Sequence, residues 1–126
     1  MKIVTIYRSL MAKESLVVFG FGEEVVGFCC LGRDGLACGV SAEAMTGQTY
    51  PHNSCLEGWR DLWDKEMTRK LRESLPSWNK ATSLGSAAVT LNDNWEKRGL
   101  SPEEFITFLR PVFREAGRII RYYPNR

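Results

Sequence analysis

Near residue 45 the chain changes pattern, and that change limits what it can fold into. Before it, short apolar runs rich in Val, Ile and Phe are broken by glycine. After it, apolar residues recur at helical spacing between start and stop signals. Strand-like runs followed by helical runs predict a single α+β domain over residues 1–126. In that reading residues 1–41 are β-rich, 42–53 form a loop and 54–121 are helical.

Residues 2–7 alternate as a strand, with Ile3, Thr5 and Tyr7 on one face and Val4 and Ile6 on the other. Residues 15–20, 23–31 and 36–41 read as further strands. Phe21-Gly22 turns the chain between the first two of these. Gly32-Arg33-Asp34-Gly35 carries the residues of a tight hairpin turn. Successive hairpins predict an N-terminal antiparallel meander of about four strands, packed against two or three C-terminal helices.

The helices carry their own punctuation. Ser54 and Glu57 fit a capping box, and Leu56, Trp59, Trp63, Met67 and Leu71 make one stripe that ends at Pro76. Ser86 is a candidate cap for a second helix bearing Ala87, Leu91 and Trp95 and closed by Gly99; Val89-Thr90 makes a short strand the rival reading. Ser101, Pro102 and Glu104 supply the cap, the favoured first residue and the capping-box partner of a third helix. Its apolar face runs from Phe105 to Ile120, with Pro111 predicting a kink.

Composition narrows the function classes. The net charge is +2, split as −1 over residues 1–54 and +3 over 55–126, far from the basic balance of a dedicated nucleic-acid binder. No apolar stretch is long enough to cross a bilayer, and the first residues lack the apolar core of a signal peptide. A cytoplasmic protein without membrane attachment is expected, with Cys29, Cys30, Cys38 and Cys55 as thiols.

Three constellations could carry chemistry. If Ser54 caps a helix, Cys55 opens it, where free amides and the helix dipole favour a thiolate, and His52 stands close enough in sequence to act as base. Against this, the ordinary role of such a cysteine is to pack as a small apolar residue. In the predicted hairpin, Cys29 faces Cys38 and the two could form a cross-strand bridge. Without a Cys-x-x-Cys pair, and with only one His, the spacing argues against zinc or any multi-histidine metal site. On an ideal helix, Arg110, Arg114, Arg118 and Arg121 align opposite the apolar face as a stripe suited to carboxylates or phosphates, or simply to water.

Other motifs fail. Gly20-Phe21-Gly22 begins like a dinucleotide fingerprint, but Val25 stands where the third glycine belongs, and no phosphate loop exists. No cofactor is therefore expected. The reading that remains is a small non-enzymatic protein that binds a macromolecular partner, as an inhibitor, adaptor or immunity-type module of the sort phages and other mobile elements encode. Arg110, Arg114, Arg118, Arg121 and Tyr50 in the 42–53 loop are its candidate contacts, since Arg and Tyr are enriched at binding hot spots. A protein partner is favoured over nucleic acid, and free sheet edges leave a homodimer open. The alternatives are a thiol enzyme using Cys55 and His52, and nucleic-acid binding through the arginine stripe.

Overall fold

The computed structural model describes residues 2–11, 18–19, 25–27, 30–39 and 69–126. Strand β1 (Lys2–Tyr7) leads into a 3-10 turn, Arg8–Leu10. The short strands β2 (Val18–Phe19) and β3 (Val25–Gly27) pair antiparallel with a bulge between Val18 and Phe19. Helix α1 (Cys30–Ala37) follows, then α2 (Arg69–Ser74), α3 (Leu84–Asn94), α4 (Pro102–Glu115) and strand β4 (Arg118–Tyr123). Among these residues no helix is long and apolar enough to cross a membrane.

The predicted four-stranded antiparallel meander does not form. The described strands make two separate two-stranded ladders, β1 with β4 and β2 with β3, and the first is parallel. The expected turn Gly32-Arg33-Asp34-Gly35, together with Cys30 and Leu31 from the end of the predicted strand 23–31, lies inside helix α1, while Val25–Gly27 of that strand forms β3. Two glycines in one turn of helix cost about 1 kcal/mol each relative to alanine, so local propensity argues for a turn here. Tertiary contacts decide otherwise: Cys30, Leu31, Gly32, Asp34 and Gly35 are all buried, and α1 packs on β1.

The second departure is at the other end of the sequence. The pattern that starts at Ser101 predicts a helix as far as residue 121, but α4 stops at Glu115. Gly117 takes φ +81°, a left-handed conformation that favours glycine, and its N–H donates to the Arg114 carbonyl at 3.0 Å. The chain then emerges as β4, whose alternating Arg-Ile-Ile-Arg-Tyr-Tyr suits a strand.

β4 pairs with β1 in a simple register, Lys2 with Arg118 through Tyr7 with Tyr123. The ladder is clamped at both ends. Lys2 N–H donates to the Gly117 carbonyl, and Ser9 N–H to the Arg126 carbonyl, each at 3.1 Å.

The start of α4 follows its sequence signals. Ser101 Oγ accepts from Glu104 N–H at 3.1 Å, and Glu104 Oε1 accepts from Ser101 N–H at 3.0 Å, a complete capping box with Pro102 as first residue. Pro111 sits within α4, which runs unbroken from Pro102 to Glu115. The stretch 84–94 is helical and not a strand. Its cap is Ser83, three residues before the predicted Ser86, whose N–H it accepts. Gly99, at φ +77°, lets Leu100 N–H return to the Trp95 carbonyl.

The core lies between the inner face of β1–β4 and the helices. Val4 and Ile120 belong to one buried cluster with Leu31 of α1, Leu91 of α3 and Phe105, Leu109, Val112 and Phe113 of α4. Trp95 stacks on Phe105 with ring centres 5.1 Å apart. Each fully buried large side chain contributes about 1.5–3 kcal/mol, so this layer dominates stability.

Candidate functional site

Alternation along β1 and β4 sends half of their side chains inward and half outward. Val4, Ile6 and Ile120 enter the core, whereas Ile3 and Ile119 are 48% and 50% exposed and face each other across the ladder. Beside them Thr5 pairs with Arg121, and Tyr7 pairs with Tyr123. Directly opposite residues in a ladder lie about 5 Å apart. The outward face is therefore one contiguous strip: an isoleucine pair, a threonine–arginine pair and a tyrosine pair.

The tyrosines are in contact, with ring centres 5.5 Å apart and planes inclined by 22°. Each also carries a guanidinium group. Arg33 Cζ lies 5.1 Å from the Tyr7 ring centre and Arg126 Cζ 5.7 Å from that of Tyr123. Burial holds the Arg33 guanidinium below the ordinary arginine range, with Tyr7 and Cys30 opposing that shift. None of the six outward residues is acidic.

On the helix side of the ladder, Tyr122 Oη donates to Glu103 Oε2, which also lies 3.8 Å from Arg8 Nε. The Tyr122 hydroxyl is pushed up to about 12, first by burial, then by its hydrogen bond to Glu103 and that carboxylate's charge. Glu103 thus ties the first turn of α4 to β4 and to the end of β1.

The predicted arginine stripe is not present. Because α4 ends at Glu115, its four members lie on two elements and have different surroundings. Arg110 Nη1 donates to the Ile120 carbonyl at 2.8 Å, tying α4 to β4. Arg114 lines a cleft of about 310 Å³ between α2 and α4 with Lys70, Leu71, Ser74, Pro111 and Glu115. Arg118 is buried, with its guanidinium on Asp34 and on the Ala116 carbonyl. Arg121 alone stands on the outward strip.

The cysteine expectations change too. Cys38 follows α1 and does not sit on a hairpin strand. Its Sγ lies 3.3 Å from Arg118 Nη2, and Cys30 is buried. Cys29 lies outside the described residues, as do Tyr50, His52, Cys55, the 42–53 loop and the predicted helix start at Ser54. Among the described residues no group of three or more His, Cys, Asp or Glu could hold a metal ion.

Sequence reasoning missed Ile3, Ile119, Tyr123 and Arg126 as members of a surface. The alternation in residues 2–7 already put Ile3, Thr5 and Tyr7 together. What it lacked was the partner strand, which comes from more than a hundred residues away. No protein-family model matches the chain, and neither a curated protein nor a solved structure matches it.

Proposed function

We propose that this protein acts by binding another protein through the outward face of the β1–β4 ladder, as a small non-enzymatic module of the inhibitor, adaptor or immunity type. One observation carries the reading: Ile3 and Ile119, each about half exposed, stand side by side on the same face as Arg121 and the Tyr7–Tyr123 stack. A single exposed isoleucine is ordinary on a protein surface, but a contiguous set is informative. Ile, Tyr and Arg together supply an apolar anchor, rigid aromatic area and a hydrogen-bonding cation, the mixture found where binding energy concentrates.

The face favours protein over nucleic acid. Base stacking needs a free aromatic face. Here each tyrosine ring already has a neighbouring ring and a guanidinium group against it. Arg118 has no part in this surface, because it is buried.

The test is capture from nuclease-treated lysate with tagged wild-type protein and with Ile119→Glu. Wild type is expected to retain one protein in stoichiometric amount. Ile119→Glu should lose it without a change in melting temperature, since position 119 faces solvent. Capture by Ile119→Glu at the wild-type level contradicts the assignment of this face.

A further inference from the structure

We infer that the occupant of the β1–β4 face is an acidic protein segment that presents a large apolar side chain between carboxylates. The inference rests on the assignment of that face as the docking surface and adds the chemistry of what docks there.

Charge complementarity is the first argument. Arg121 lies within the strip, exposed, and makes no ion pair among the described residues. Arg126 stands over Tyr123 at one end. The strip itself contains no acid, and Glu103, on the helix side of the ladder, is engaged by Tyr122 and Arg8. Among the described residues, Arg121 and Arg126 thus stand beside an apolar pair on this face with no acidic side chain of the strip set against them. Carboxylates supplied by a partner would balance them, and the isoleucine pair would seat an apolar side chain between them.

Area is the second argument. Two strands of six residues are about 20 Å long and about 10 Å wide at ordinary strand rise and spacing. A footprint of about 200 Å² is far below the roughly 800 Å² per partner of a stable globular interface. A second copy of the chain, meeting this face with its own, would bury too little for a stable dimer. A single extended or helical segment matches the dimensions.

The experiment is selection of a displayed random-peptide library on the full chain. Selected peptides are then titrated by fluorescence anisotropy against wild type, Ile119→Ser and Arg121→Glu. The expected peptides carry Asp or Glu on both sides of a large aliphatic or aromatic residue. They should lose about tenfold or more in affinity with either variant, a factor typical of removing one good contact, and should bind more weakly as salt is raised. Peptides that are not acidic, and that lose affinity in Ile119→Ser but not in Arg121→Glu, would overturn the acidic partner and leave the docking face standing. Peptides indifferent to both variants would overturn both. A wild-type dimer dissociated by Ile119→Ser, or single-stranded RNA competing at this face with higher affinity than any peptide, would also overturn the inference.

Discussion

Arg118 and Asp34 stand 84 residues apart in the chain and form one buried two-pronged ion pair, Nε to Oδ1 at 2.7 Å and Nη2 to Oδ2 at 3.4 Å. Asp34 is wholly buried and the Arg118 side chain is 5% exposed. The guanidinium also donates to the Ala116 carbonyl at 2.6 Å and meets Cys38 Sγ at 3.3 Å. The pair joins α1 to the first residue of β4. It therefore helps to hold Ile119, the next residue, in register with Ile3.

Removing one partner leaves a buried charge without its counter-ion. Asp34→Ala should cost about 3–5 kcal/mol, whereas the double replacement Asp34→Leu with Arg118→Met should recover most of that loss. Urea unfolding of the three proteins checks this. A small effect of Asp34→Ala, below about 1 kcal/mol, would mean that the pair is not closed in the folded protein.

The same pair explains which parts of the fold are legible in the sequence. The start of α4 is local chemistry, as Ser101, Pro102 and Glu104 satisfy one another within a single turn, and both capping bonds form. Residues 30–37 mislead because Gly32 and Gly35 carry a turn signal, while what favours the helix is burial against β1 and a bond from Asp34 to a distant arginine. The arginine stripe misleads because the spacing of residues 110, 114, 118 and 121 fits a helix as long as Gly117 is ignored. Ala-Gly followed by Arg-Ile-Ile is the available stop signal. The parallel pairing of β1 with β4 has no local signal, since parallel partners are joined through intervening chain and not through a turn. The outward strip, composed of both strands, is hidden for the same reason.

Gly117 makes the end of α4 testable. With φ +81° and nothing within 4 Å of the place a Cβ would take, its replacement meets no steric clash and only a backbone penalty. Gly117→Ala should cost about 1–2 kcal/mol, the penalty of a left-handed conformation for a residue with a Cβ. Gly117→Asn should cost less, because asparagine tolerates that region. Thermal unfolding of the two variants gives the comparison, and equal stability of Gly117→Ala and wild type would contradict the turn.

The capping box predicts a modest local effect. Ser101→Ala removes the acceptor for Glu104 N–H and should destabilise the protein by about 0.5–2 kcal/mol. Ser101→Asp should retain most of the stability, because aspartate caps as well and favours the helix dipole. Urea midpoints measure both.

Tyr122 predicts an alkaline transition. Its hydroxyl, raised to about 12, keeps its proton in the folded state above the ordinary value of about 10 that applies when unfolded. The folded state therefore binds more protons between those values. The stability this group contributes is full below about pH 10 and is lost as pH rises through about 12. Phenolate absorbance should show a late-titrating component that disappears in Tyr122→Phe and titrates earlier in Glu103→Gln. A late transition unchanged in Tyr122→Phe would assign it elsewhere.

Site-specific photo-crosslinking tests the docking face most directly. One protein carries p-benzoylphenylalanine in place of Ile119, on the outward strip. A second carries it in place of Arg114, on the exposed side of α4. Irradiation in lysate should join the first to a single partner protein in good yield and leave the second uncoupled. Coupling from position 114 with none from position 119 would contradict the β1–β4 face as the binding surface.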